Sequence, residues 1–318
     1  MRLLVTGAAG FIGYHLSAFC KKMGLHVIGY DNFSPYYDIS LKQNREKALY
    51  QQGIVVHHAD IRNTQFLKKI VESEKITHIV HLAAQAGVRH SISHPEDYVS
   101  ANLEGFVSIL EAARSKPKTK VIFASSSSVY GLNKKVPFEE SDTTDKPANF
   151  YGATKKAGEM MAFSYHYLYD IPLIGLRFFT VYGPWGRPDM AYYSFTNAIL
   201  EEKPIYVRNN GQMQRDFTYI DDIILGAYAA LYQDVGFEIF NLGNHKPIAL
   251  MHFISELEKQ LGKKAILEIL PFEKGEVDST FADISKSRRM LGFSPKTTLA
   301  TGLEKFISWH RHYHKQER

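Results

Sequence analysis

A single cysteine, Cys20, stands in 318 residues. It has no partner for an intramolecular disulfide, so the chain is no disulfide-stapled scaffold, and a reducing, cytoplasmic compartment is expected. No apolar run approaches the roughly 20 residues that a membrane-spanning helix needs, so no membrane partner is expected. Met1-Arg2-Leu3-Leu4-Val5-Thr6-Gly7 enters a glycine-rich turn after a short apolar stretch, and no cleaved signal is expected either. Charge of one sign is scarce: 38 Lys and Arg against 33 Asp and Glu leave a balance of +5. That is too weak and dispersed for nucleic acid, yet it suits an anionic small substrate. Repeats and low-complexity tracts are missing. The tail His310-Arg311-His312-Tyr313-His314 lacks a partner cluster of ligands, so it reads as a solvated helix end and no metal is expected.

What is present is a globular composition, 45% apolar and 22% charged, in a chain long enough for one large domain or two modest ones. The first half alternates β-rich runs with helical patterns, which predicts βαβ units and a parallel sheet. Strands are expected at residues 2–6, 27–31, 55–59, 78–83, 121–126 and 173–177. Several are apolar throughout, as strands covered on both faces should be. Ile12, Leu16, Phe19 and Met23 recur at helical spacing. A further helix is expected from Pro95, with Tyr98, Leu103, Phe106, Val107 and Leu110 on one side. After Arg177 the rhythm changes. Residues 178–215, rich in Gly, Pro and aromatics, read as irregular chain with one helix around 193–202. A strand–helix–strand is expected over 217–241, and a late strand over 266–270.

Gly7-Ala8-Ala9-Gly10-Phe11-Ile12-Gly13 follows the first strand and opens the first helix. Backbone amides at such a helix start can hold a pyrophosphate, and glycine lets the backbone approach it. A tight strand–helix turn would select glycines as well. Asp31 ends the second strand 31 − 13 = 18 residues after the last glycine, near the distance at which an acid meets the adenosine ribose hydroxyls. A carboxylate there repels a 2′-phosphate, which favours NAD over NADP. Asp60, after the third strand, is placed either to meet adenine or to cap the next helix.

Tyr151-Gly152-Ala153-Thr154-Lys155 opens a long helical pattern, and a spacing of four puts phenol and ammonium on one face. A tyrosine ionises at about 10, so its use as a base near neutrality needs a nearby cation. Lys155 and an oxidised nicotinamide can both supply that charge; the bland alternative is surface packing. Ser125-Ser126-Ser127-Ser128 closes a strand at the carboxyl edge of the sheet, where open α/β sheets bind ligands. Four hydroxyls in a row also suit plain turn chemistry.

The ordered set Thr6-Gly7-x-x-Gly10-Phe11-Ile12-Gly13, Leu82-Ala83-Ala84-Gln85, Ser126, Tyr151-x-x-x-Lys155 and Arg215-Asp216-Phe217 resembles the extended short-chain dehydrogenase/reductase superfamily of nucleotide-sugar enzymes over residues 2–309. Within it the chain looks most like the UDP-glucuronate 4-epimerases. The marks are Asp31-Asn32-Phe33-Ser34-Pro35-Tyr36-Tyr37-Asp38 with Leu41-Lys42-x-x-Arg45, Gln85-Ala86-Gly87-Val88-Arg89, and the stretch from Leu176 through Trp185-Gly186-Arg187-Pro188-Asp189-Met190.

The resemblance implies an α/β fold: a Rossmann-type doubly wound parallel sheet with a smaller α/β substrate-binding domain. Residues 1–178 with 217–242 would form the NAD-binding part, and 179–216 with 243–318 the nucleotide-sugar part. NAD, tightly held and recycled each turnover, would be bound by Gly7, Gly10, Phe11, Ile12, Gly13, Asp31, Asn32, Ser34, Asp60, Ile61, Leu82, Ala83, Ala84, Asn102, Tyr151, Lys155 and Phe178. In the family the counterpart of Tyr151 removes the proton from the sugar 4-hydroxyl. Hydride passes to NAD, the 4-keto sugar turns over, and hydride returns to the opposite face. The counterpart of Ser126 holds the reacting oxygen, and Lys155 would lower the tyrosine pKa and bind the nicotinamide ribose.

The substrate implied is a UDP-sugar. Arg215 matches an arginine that neutralises the diphosphate, unless it pairs with Asp221 or Asp222; Arg89 and Arg187 fall in stretches that line the cleft. Related UDP-glucose and UDP-galactose epimerases usually carry Asn at the position of Thr180. Ser127, Ser128 and Thr180 would instead offer hydroxyls to a uronate carboxylate. Decarboxylases and dehydratases of this scaffold typically place an acid in the turn matched by Ser126-Ser127-Ser128, where this chain has hydroxyls. A UDP-glucose or UDP-N-acetylglucosamine 4-epimerase and a non-catalytic NAD-binding scaffold are the other readings. One departure is that Glu276 and Asp278 stand where Asp and Pro are common. Relatives usually form homodimers through the helices matched by 95–115 and 150–169.

Overall fold

The computed structural model describes residues 1–316 apart from Lys274 and Glu276. Its main sheet has strands β1 (Arg2–Thr6), β2 (His26–Asp31), β3 (Val56–His58), β4 (His78–His81), β5 (Lys120–Ser126), β6 (Leu173–Phe178) and, late in the chain, β10 (Phe237–Leu242). Two smaller sheets use β7 (Thr180–Tyr182), β8 (Pro204–Val207), β9 (Gln214–Tyr219), β11 (Pro247–Ala249) and β12 (Ile266–Ile269). The main sheet runs in the order β10-β6-β5-β4-β1-β2-β3, and every neighbouring pair is parallel. Its apolar strands are explained by cover on both faces. Leu3 and Val5 join one core cluster with Val80 and Ile122, while Leu4 joins the other with Ile79 and Val121.

Helices α1 (Phe11–Lys22) and α9 (Ile220–Leu231) pack together over the first cluster. Helices α3 (Thr64–Ser73), α6 (Gly105–Arg114) and α7 (Phe150–Tyr169) cover the second, and α2 (Ile39–Gln51) lies between β2 and β3 in the chain. β1 connects onward to β2 on one side, while β4 and β5 extend the sheet on the other. That reversal opens a crevice beyond the carboxyl ends of β1 and β4, where ligands of doubly wound sheets bind.

The helix expected from Pro95 is broken. Short helices α4 (His90–Ser93) and α5 (Pro95–Tyr98) precede a π-turn at Val99–Glu104, and only then does α6 begin. A π-turn inserts one extra residue and rotates the helix beyond it, which leaves Val107 exposed although Tyr98, Phe106 and Leu110 are buried. The turn is held by Asn102, whose Oδ1 accepts from the Gln85 N–H at 2.8 Å and whose Nδ2 donates to Thr154 Oγ1 at 3.0 Å.

The expected strand–helix–strand over 217–241 is present as β9, α9 and β10, but the two strands separate. β10 joins β6 in the main sheet, and β9 sits between β7 and β11. Of the remaining helices, α10 (Leu250–Leu261) and α12 (Leu299–Gln316) pack on that small sheet, α8 (Ala191–Leu200) packs on β8 and α10, and α11 (Ser285–Leu291) lies against β10 and α9. The core around the small sheet is aromatic: Phe217 stacks on Phe253 at 4.4 Å, and Tyr192 meets Phe306 edge-on at 5.0 Å. The parallel pair β8–β12 is exposed along all of β12. No helix among the described residues is long and apolar enough to cross a membrane.

Candidate active site

The glycine turn leaves β1 and enters α1. Gly7 adopts φ +72°, and a Cβ there would stand 2.7 Å from the Ala83 nitrogen, so the turn packs directly on the chain leaving β4. A Cβ on Gly13 would run into the Gly7 carbonyl oxygen. Gly10 caps α1 without a side-chain bond, and no acid occupies the first turn. First-turn amides have no intrahelical acceptor, so those of Phe11 and Ile12 face the crevice as anion donors at the positive end of the helix dipole. This cradle of amides without side chains suits the pyrophosphate of a dinucleotide. The side chains of Phe11, Ile61 and Phe178 are buried, which leaves their backbones for any ligand contact.

Asp31 ends β2 and is buried; its Oδ2 accepts from the Ala9 N–H at 3.0 Å and its Oδ1 from the Phe33 N–H at 2.8 Å. It therefore ties the glycine turn to the chain after β2. Asn32 is next, with Nδ2 at 3.3 Å from Asp60 Oδ2 and Oδ1 accepting from the Ser34 N–H at 3.1 Å. Asp60 does not cap α3. That role belongs to Asn63, which accepts from the Phe66 N–H at 3.1 Å. Hydrogen bonding from Arg62, with Nε at 2.9 Å, holds the Asp60 carboxyl down at about 2.

Across the crevice, the turn Ser127–Tyr130 comes after β5 and is capped by Ser126 Oγ, which accepts from the Ser128 N–H at 3.1 Å. Helix α7 starts at Asn149, whose side chain accepts from the Gly152 N–H at 2.8 Å. The Tyr151 N–H donates to Ser91 Oγ at 3.2 Å, which fastens the loop carrying Arg89 to the start of α7. The Tyr151 phenol lies near enough to the Ser126 hydroxyl for the two to interact. Burial raises the phenol pKa, while the Ser126 hydroxyl and the Arg187 charge act against it.

Lys155 lies one turn on, buried, with Nζ 5.9 Å from the Tyr151 ring centre and donating to the Ala124 carbonyl at 2.9 Å. Burial pulls its pKa down to about 8. The bond to Ala124 ties the Lys155 ammonium to the end of β5, on the same helix face as the phenol. A small cavity lined by Ala83, Ala84, Asn102, Thr154 and Lys155 joins the ends of β4 and β5 to α7.

The candidate substrate residues gather on the same side. Ser126 pairs with Phe178 across β5 and β6, and Ser128 and Thr180 each follow two residues beyond that pair. Arg187 is held by Asp189, with Nε–Oδ1 at 3.0 Å and Nη2–Oδ2 at 2.5 Å, and Tyr36 adds its hydroxyl to Asp189 at 3.3 Å. Burial works against the Arg187 charge, but Asp189 outweighs it and keeps the group protonated. Arg215 is half-buried and donates to the carbonyls of Gln214 at 2.9 Å and Asp278 at 3.1 Å. Asp221 and Asp222, its alternative partners, face Lys305 at 3.9 Å and the Lys296 and Thr297 amides. Arg89 is exposed at the start of α4. Asp278 Oδ1 accepts from Asn209 Nδ2 at 3.1 Å, and Glu276 lies outside the described residues.

A buried network behind the site was not expected from the sequence. Glu159, two turns on from Tyr151, accepts from Arg177 Nε and Nη2, both at 2.8 Å, and from Ser125 Oγ at 2.6 Å. Arg177 Nη1 reaches the Tyr130 hydroxyl at 3.0 Å, which donates to Asn241 Oδ1 at 2.7 Å. A signal for it exists: Tyr151, Lys155 and Glu159 repeat at spacings of four and share one helix face.

Residues 4–306 match the family described as GDP-mannose 4,6 dehydratase. UDP-glucuronate 4-epimerase 2 of Arabidopsis thaliana is 48% identical over 99% of this chain and 76% of its own length. A crystal structure of UDP-glucuronic acid 4-epimerase from Bacillus cereus, in complex with UDP-glucuronic acid and NAD, superposes with a TM-score of 0.92 at 38% identity, covering 98% of this chain and all (100%) of that one. The UDP-glucose 4-epimerase of Thermotoga maritima superposes at 0.89 with 28% identity, over 98% of this chain and 99% of that one.

Proposed function

Because the chain belongs to the GDP-mannose 4,6 dehydratase family, within the extended short-chain dehydrogenase/reductases, we propose that it interconverts UDP-glucuronate and UDP-galacturonate by epimerisation at C4 with bound NAD. The observation that carries the reading is the Tyr151–Lys155 pair on one face of α7, with Lys155 Nζ 5.9 Å from the Tyr151 ring and tied to the end of β5, beside a glycine turn fit for a dinucleotide. The family's descriptive name covers a dehydratase, but the turn at Ser126-Ser127-Ser128 holds only hydroxyls where elimination calls for an acid. The uronate is favoured over a neutral hexose by Thr180, which follows the paired strand ends Ser126 and Phe178 by two residues as Ser128 does, and by the 48% identity to a UDP-glucuronate epimerase.

In this scheme Ser126 Oγ holds the sugar 4-oxygen, and the Tyr151 hydroxyl oxygen takes the proton from it. NAD, when bound, takes up the hydride from C4, gives it back to the opposite face, and adds positive charge beside the phenol. Tyr151 then returns the proton to the new 4-hydroxyl. Burial around Tyr151 and Lys155 keeps water from the exchange. Arg215 and Arg187 meet the diphosphate and uronate charges, Arg187 by giving up Asp189 to the ligand, and Arg89 lines the same cleft. Asp31 and the first-turn amides of α1 hold the dinucleotide. The main sheet through residue 178, with α9 and β10, forms the dinucleotide part, and the remainder, β9 included, the sugar-nucleotide part.

We also infer a homodimer, supported by the solvent-facing Met160, Phe163 and Tyr167 on α7. A cytoplasmic location accords with the one cysteine, Cys20, whose thiol burial pushes up to about 12. Purified protein incubated with UDP-glucuronate and no added NAD is expected to yield UDP-galacturonate, and Tyr151→Phe to yield none while retaining NAD. A UDP-pentose product, or turnover of neutral UDP-hexoses alone, overturns the assignment.

A further inference from the structure

Arg45 sits on α2 with its side chain fully buried, an uncommon place for a guanidinium. It reaches two parts of the molecule that are far apart in sequence. Nη1 donates to the Ala9 carbonyl, inside the glycine turn, at 3.0 Å and to the Tyr37 hydroxyl at 2.8 Å. Nη2 donates to the carbonyls of Trp185 at 2.5 Å and Gly186 at 3.1 Å. Nε is buried with no hydrogen-bond partner among the described residues. A planar fork is what such a bridge needs; a lysine ammonium reaches one side only.

The segment that Arg45 grips is strained. Trp185 adopts φ +59° although it carries a side chain, and Gly186 lies so close to the Tyr192 ring that a Cβ would collide with it. Arg187 comes immediately after, and its N–H donates to the Tyr192 hydroxyl at 3.2 Å. Helix α1 supports the same stretch. His15 Nε2 donates to the Pro184 carbonyl at 2.9 Å, and the Tyr14 ring lies 5.4 Å from that of Trp185. Strained backbone persists only where its surroundings over-determine it, and here the surroundings belong to the dinucleotide cradle.

We propose that Arg45 is a positioning residue: it fixes Arg187 relative to the glycine turn, so that the UDP-sugar anion and the dinucleotide are held in one register. The inference rests on the assignment of Arg187 to the UDP-sugar and of the turn to NAD. Arg45 touches neither ligand and acts through the Trp185 and Gly186 carbonyls. Its loss therefore frees Arg187 to sample other settings, which weakens sugar-nucleotide binding more than it slows the chemistry.

The test is a double-mutant cycle on the holoenzyme, with calorimetric Kd for UDP-glucuronate and kcat measured for wild type, Arg45→Lys, Arg187→Ala and the double variant. Arg45→Lys is expected to raise Kd about tenfold with kcat within about threefold, and to add less than about twofold in the Arg187→Ala background. A full tenfold effect on top of Arg187→Ala overturns the proposal. So does an unchanged Kd with only a lowered Tm. Should Arg45→Lys fail to fold, Tyr37→Phe decides: it removes one acceptor of the same guanidinium and is expected to raise Kd two- to threefold, and an unchanged Kd overturns the proposal. Wild type that binds UDP-glucuronate without epimerising it contradicts the reaction assignment and leaves the cycle in Kd readable.

Discussion

Gly152 stands so close to the turn after β5 that a Cβ there would come within 2.6 Å of the Ser128 carbonyl oxygen. This contact seats the start of α7 on the serine turn and brings the Tyr151 phenol to the Ser126 hydroxyl. Gly152→Ala forces the two apart, and displacements of about 1 Å at a reacting group cost about 100-fold in rate. The expected outcome is a 10- to 100-fold fall in kcat with NAD still released on denaturation in full amount. Unchanged turnover would contradict the seating.

Thr180 opens β7 two residues after Phe178, the strand partner of Ser126. A 4-keto uronic acid is a β-keto acid and loses carbon dioxide readily, so neutral hydroxyls that orient its carboxylate restrain that loss without a buried cation. Thr180→Ala is expected to increase the UDP-pentose fraction of the product, read by chromatography at full conversion. An unchanged product ratio would show that Thr180 has no part in the restraint.

Burial brings the Lys155 pKa from 10.5 down to about 8. The ammonium is charged below that value and neutral above it, so any support it lends to the phenolate is lost as pH rises through about 8. A falling limb in kcat near that pH is expected, and its absence from Lys155→Met. The stability sign runs the other way. Between about 8 and 10.5 the unfolded chain holds more protons at this group, so its contribution to stability rises with pH across that window. Titration of turnover by wild type and variant, under saturating substrate, decides the matter.

The Arg177–Glu159 pair is buried on both sides, at 4% and 5% side-chain exposure. Removing one member leaves an uncompensated charge in the interior, which costs about 3–5 kcal/mol. Glu159→Ala is expected to lose that much in urea denaturation. A loss below about 1 kcal/mol would mean that the pair behaves as a surface bridge.

How far the sequence reveals this molecule depends on how local each signal is. β1, the glycine turn and α1 can be read because strand pattern, turn chemistry and helix periodicity lie within a few residues of one another. Tyr151 and Lys155 are legible for the same reason, being one helical turn apart. The break at Val99–Glu104 is not, because the π-turn is held by Asn102 bonding to Gln85 and Thr154, partners distant in sequence. The burial of Arg45 and Glu159 is not legible, because only the tertiary fold brings them the partners that cover them. The separation of β9 from β10 likewise depends on which neighbours each strand finds, a matter that hydrophobic pattern leaves open.

The central claim is that one enzyme-held NAD removes and returns the same hydride at C4 of a UDP-uronate, with Tyr151 moving the proton. UDP-glucuronate deuterated at C4, incubated with the purified protein and no added NAD, tests it most directly. The expected result is UDP-galacturonate that keeps its deuterium at C4, seen by NMR and mass spectrometry. UDP-galacturonate carrying solvent hydrogen at C4, or deuterated UDP-glucuronate recovered unchanged by a protein that retains NAD, would contradict it.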